Sequence, residues 1–77
     1  MTTDNEQLIN EFDLQGRDFI ALCNLLQLAG MASSGGSAKM LIADGQVTVD
    51  GQVELRKRCK IKPGQVAQFD GKQIKVV

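Results

Sequence analysis

The chain has 77 residues with nine Lys/Arg, nine Asp/Glu, two cysteines and no histidine. A chain this short makes one small domain with a thin core, and its 43% apolar content is too high for a disordered one. The missing histidine removes imidazole base catalysis and most zinc chemistry, while two isolated cysteines cannot build a disulfide framework or a four-ligand zinc site and are expected to be reduced.

The segment Met1 to Glu6 lacks the basic and long apolar regions of a secretion signal, and no apolar run is long enough to cross a bilayer. Cytoplasm, with no membrane contact, is the expectation. The neutral total hides a division. Residues 1–38 carry one positive and five negative charges, a sum of −4, and residues 39–77 carry eight positive and four negative, a sum of +4. Such asymmetry points the basic half toward a polyanion. It also suits an acidic N-terminal segment folding over that half.

In chain order, residues 1–10 read as a flexible acidic leader and residues 11–77 as a single domain. Phe12 and Leu14 at strand spacing predict a short strand within 11–14, broken by Gln15-Gly16. Phe19, Leu22, Cys23 and Leu26 follow the helical spacing of an amphipathic helix over about 18–29, with Ile20, Leu25 and Leu28 widening its apolar stripe and Gly30 as its stop. Ser34 caps a second helix over about 35–44, marked by Ala38, Leu41 and Ile42 and stopped by Gly45. The pair reads as a helix-turn-helix-like unit. Gly30 to Ser37 imitates a phosphate-binding loop in its glycine spacing. However, Gly36 stands where the lysine is required, and the run follows a helix instead of a strand, so a helix–helix turn is expected.

After Gly45 the period changes from 3.6 to 2. Val47 and Val49 face inward, Asp50-Gly51 signals a hairpin, and Val53 and Leu55 continue on the return strand. Pro63-Gly64 fits the centre of a type II turn. Val66 to Phe69 is a further strand, and Asp70-Gly71 turns into a last one with Ile74 and Val76 inward and Lys75 outward. The fold class is α+β: two helices packed on a small, mostly antiparallel sheet.

Between these elements lies the strongest functional signal, Arg56-Lys57-Arg58-Cys59-Lys60-Ile61-Lys62, with five basic residues in seven positions. As extended chain it would put Arg56, Arg58, Lys60 and Lys62 on one face and Cys59 and Ile61 on the other. Lysines and arginines on a strand also guard an edge against aggregation, but guanidinium forks suit phosphate. With the three phenylalanines all at expected core positions and no Tyr or Trp, stacking of single-stranded bases is not expected. Phosphate and shape recognition of a folded nucleic acid is. No arrangement of nucleophile, base and oxyanion donors is visible, so the expectation is no enzyme, no cofactor and no small-molecule substrate.

From Phe19 to Phe69 the chain resembles the S4-type RNA-binding domain, the module named after the fourth protein of the small ribosomal subunit. Leu22, Leu25-Leu26, Leu28 to Ser34, Ala38, Leu41-Ile42, the run Asp44-Gly45-Gln46-Val47-Thr48-Val49-Asp50-Gly51-Gln52-Val53, and Val66 after Pro63-Gly64 carry the likeness. With Arg56 to Ile61 it looks most similar to small free-standing bacterial members. The resemblance implies an alpha-L motif with RNA lying across the second helix and the adjoining loops and strands. It also implies structured RNA, ribosomal or tRNA-like, as the partner of a monomer. The residues it puts forward are Ser34, Lys39, Gln46, Arg56, Lys57, Arg58 and Lys60, and the basic face adds Lys62. Members that bind ribosomal RNA commonly carry a basic residue just after the serine that opens the second helix. Gly35-Gly36 stands there, which moves the expected contact toward the hairpin and Arg56, Arg58 and Lys60. The competing expectation is a protein-interaction adaptor whose basic strand face docks an acidic partner.

Overall fold

The structure, a computed structural model, describes residues 10–77; the expected leader falls almost wholly outside them. In order the elements are β1 (Asn10–Phe12), β2 (Ile20–Ala21), α1 (Leu22–Leu28), α2 (Gly35–Ala43), β3 (Val47–Val49), β4 (Gln52–Val53), β5 (Lys60–Ile61), β6 (Val66–Phe69) and β7 (Lys72–Val76). Five strands form one sheet in the order β1-β7-β6-β3-β4, and β2 pairs with β5 in a separate ribbon. All pairings are antiparallel except β1 with β7. The expected α+β class holds: both helices contribute to one apolar cluster with the sheet. Leu22, Leu25, Leu26, Ala38 and Ile42 meet Val47, Ala67, Ile74 and Val76 there, all at 2% exposure or less. No side chain that is polar or charged is buried among the described residues, so the side-chain packing of the core is apolar throughout. None of the helices described is long and apolar enough to cross a membrane.

The second helix forms as its local signals dictate. Ser34 sits in extended conformation, and its Oγ accepts the Ser37 N–H at 3.0 Å, satisfying one of the donors a helix start leaves open. At the far end Gly45 takes φ +78°. Its N–H donates to the Ile42 carbonyl at 3.0 Å, and the Gln46 N–H donates to the Leu41 carbonyl at 3.1 Å, the paired bonds of a Schellman stop. Gly30 ends α1 in the same way, with N–H bonds from Gly30 to Gln27 and from Met31 to Leu26. The Asp50-Gly51 hairpin also appears as expected, with φ of +52° and +86° at its two central residues, the conformation of a type I′ turn. Asp50 does more than turn the chain. Its carboxylate accepts the Val66 N–H at 3.0 Å, tying the hairpin to β6.

The first helix departs from expectation. It starts at Leu22 and not near residue 18, because Ile20 and Ala21 are taken into strand pairing with Ile61 and Lys60. Strand alternation then sends Ile20 inward, at 4% exposure, and Phe19 outward, at 40%. Helical spacing would have buried Phe19 with Leu22 and Leu26. Leu28 is likewise exposed at the end of the short helix and does not join the expected apolar stripe. On the return strand, pairing stops at Val53, and both Val53 and Leu55 are exposed. They lie across the surface of Gly45, whose missing Cβ would stand 3.8 Å from Val53 Cγ1 and 3.9 Å from Leu55 Cδ2.

Candidate nucleic-acid interface

Residues 56–62 are not one extended strand. The Cys59 N–H donates to the Arg56 carbonyl at 3.1 Å, so Lys57 and Arg58 occupy the centre of a turn, and pairing resumes only at Lys60–Ile61. The turn is anchored through its backbone. Ala21, the residue that opens onto α1, gives it no side-chain cap; instead the Leu22 N–H donates to the Cys59 carbonyl at 2.9 Å and the Cys23 N–H to the Lys57 carbonyl at 3.0 Å. The basic turn caps the first helix. This exchange satisfies donors at the helix start and fixes the turn while its side chains stay in solvent. Ile61 itself is fully buried and anchors β5, the strand that follows the turn, in the core.

The other end of the segment is held as well. Gln65 Oε1 accepts the Lys62 N–H at 2.8 Å, and the Gln65 N–H returns a bond to the Lys62 carbonyl at 3.1 Å. Between these anchors Arg56, Arg58, Cys59, Lys60 and Lys62 line one open hollow of about 470 Å³. The four cations that alternation was expected to align therefore do converge, although by a turn and a short strand.

Charge within the hollow is not uniform. Glu54 accepts from Arg56 Nε at 2.9 Å and from Nη2 at 3.0 Å, and takes the Arg56 backbone N–H at 2.9 Å. Those hydrogen bonds, side chain first and backbone second, hold the Glu54 carboxyl at about 2, well below its ordinary 4.5, and raise the guanidinium in turn. Arg56 Nη2 also reaches Cys59 Sγ at 3.5 Å. Burial pushes the Cys59 thiol up, and the Glu54 carboxylate adds to the rise. Among the described residues this is the one ion pair, so Arg58, Lys60 and Lys62 face the hollow without a carboxylate partner there. Lys60 Nζ instead stands over the Phe19 ring, 4.9 Å from its centroid.

Residues 12–77 match the family model described as the S4 domain. The chain belongs to the S4 domain family. Its relatives include YbcJ of Escherichia coli (strain K12), provisionally named an RNA-binding protein, and an uncharacterized YbcJ of Shigella flexneri. Each is 52% identical over 66 residues, which is 86% of this chain and 94% of the relative. The solution structure of E. coli YbcJ, described as revealing an alpha-L motif involved in RNA-binding, superposes with a TM-score of 0.74 at 44% identity. The match covers 100% of this chain and 98% of that one.

In this S4 domain the residues put forward from sequence fall into two groups. Arg56, Arg58, Lys60 and Lys62 share the hollow. Lys57 is exposed on the turn but does not line it. Ser34, Lys39 and Gln46 belong to α2 and its exit and do not line it either. The Ser34 oxygen is engaged as a helix cap, Lys39 is half-buried, and Gln46 is exposed just after the helix stop. Sequence reading overlooked Glu54, Gln65 and Phe19. The acid two residues before Arg56 was a readable hint, since that spacing allows a side-chain bond back to the Arg56 N–H. Gln65, directly after Pro63-Gly64, carried no comparable signal.

Proposed function

We propose that this S4 domain is an RNA-binding module without catalysis of its own, working in the cytoplasm as a monomer. It grips the phosphates of structured RNA, ribosomal or tRNA-like, through the hollow of Arg56, Arg58, Lys60 and Lys62, with Lys57 at its margin. Ser34, Lys39 and Gln46 supply a subsidiary contact on α2. Family membership and the RNA-binding description of the YbcJ structure support the reading. The observation that carries it is the convergence of the four cations on one open hollow whose backbone is pinned to α1 and to Gln65. A preorganised set of cations binds phosphate at a smaller entropic cost than the same side chains on a mobile loop.

The test is salt dependence. With about four to five phosphates neutralised, log affinity for a folded ribosomal RNA fragment should fall against log salt with a slope of about −3 to −4. A flat dependence would sink the phosphate-contact model. Backbone-amide NMR during the same titration should show the largest shifts at residues 56–62.

A further inference from the structure

We propose that the outward face of the β2–β5 ribbon seats one unpaired base of the RNA, with Phe19 as the stacking ring and the cations of the hollow holding the flanking phosphates. The inference rests on the RNA-binding reading and adds a requirement on RNA shape: a duplex interrupted by a bulged nucleotide.

The register places these groups together. Ile20 pairs with Ile61, and both point into the core at 4% and 0% exposure. Their exposed neighbours therefore share the outward face, Phe19 just before β2 and Lys60 and Lys62 on and just after β5, while Ala21 stays half-buried against the core. Phe12 and Phe69 pack against the core, whereas Phe19 is 40% exposed. An aromatic ring left at the surface in the same face as two lysines that have no carboxylate partner among the described residues is a stacking surface bordered by phosphate ligands. Lys60 over the ring occupies that surface in the free protein by a cation–π contact. Transfer of its ammonium to an arriving phosphate uncovers the ring for a base. One ring accepts one base, so the seat suits a single extruded nucleotide and not a run of single strand. A base inside a continuous helix has both faces covered by its neighbours and cannot use it.

The experiment compares two RNA duplexes identical except at one bulged position, which holds adenosine in one and an abasic nucleotide in the other. Phosphates and backbone are then matched. By fluorescence anisotropy at low salt, the full 77-residue chain should bind the adenosine bulge about fivefold or more tightly, the lower end of the effect of base–aromatic stacking. Phe19→Leu should abolish that preference, and Phe19→Tyr should keep it. Equal binding of both RNAs by the parent overturns the base seat, as does a preference that survives Phe19→Leu. Failure to bind either RNA overturns the RNA-binding reading and the seat with it.

Discussion

Glu54 holds Arg56 by both edges, accepting two guanidinium hydrogen bonds at 2.9 and 3.0 Å and the Arg56 N–H at 2.9 Å. The Arg56 side chain is 77% exposed and that of Glu54 17%, so the pair sits at the lip of the hollow, screened by solvent on the arginine side. Such a pair adds little to stability, but it orients the turn and neutralises one of the four converging cations. Replacing Glu54 with Gln should therefore tighten RNA binding. Anisotropy titrations of parent and variant against a folded ribosomal RNA fragment measure the gain.

The same pair makes a small acid-sensitive contribution. The Glu54 carboxyl is held at about 2 in the folded chain against an ordinary 4.5. An acid whose folded value is depressed stabilises the fold fully above its unfolded value and loses that stabilisation as pH falls toward the folded one. The stability difference between the parent and Glu54→Gln should thus be constant from pH 7 down to about pH 5 and nearly gone by pH 2. Urea unfolding midpoints across that range measure it.

Removing two cations that have no carboxylate partner among the described residues tests the hollow directly. Arg58→Gln with Lys62→Gln should weaken binding to folded RNA and flatten the salt slope by about 1.8. Both residues are exposed, so each change should move stability by less than ~0.5 kcal/mol. Parallel anisotropy titrations and urea melts separate the two effects. An unchanged slope would leave these side chains as guards of the surface only.

The backbone junction between the turn and α1 predicts a pattern in hydrogen exchange. The Leu22 and Cys23 amides, bonded to the Cys59 and Lys57 carbonyls, should exchange slowly although they open a helix. Ile61→Ala should cost about 2–5 kcal/mol, the usual range for truncating a buried isoleucine, and should speed exchange at these two amides. If they exchange fast in the parent, the turn does not cap the helix.

The Gly45 stop has a cost that can be read separately. A Cβ there would make only ordinary contacts with Val53 and Leu55; the penalty comes from φ +78°. Gly45→Ala should lose about 1–2 kcal/mol of stability, the cost of left-handed backbone for an L-residue, measured by urea unfolding.

The sequence by itself determined the features that neighbouring residues control. Ser34 caps the second helix, Gly45 stops it, and Asp50-Gly51 and Asp70-Gly71 turn their hairpins. Each depends on a hydrogen bond or a dihedral within a few residues, so local chemistry was enough. The α+β class and the basic cluster of residues 56–62 were equally legible, because composition and period survive folding. Only the tertiary structure decided where the first helix begins, since Ile20 and Ala21 answer to Ile61 and Lys60 about forty residues away, and strand pairing with a distant partner outweighs local helical spacing. The same pairing turned Phe19 out of the core and bent Arg56 to Cys59 into the cap of α1. That is why a run that reads as an evenly alternating strand forms a hollow with one ring at its edge.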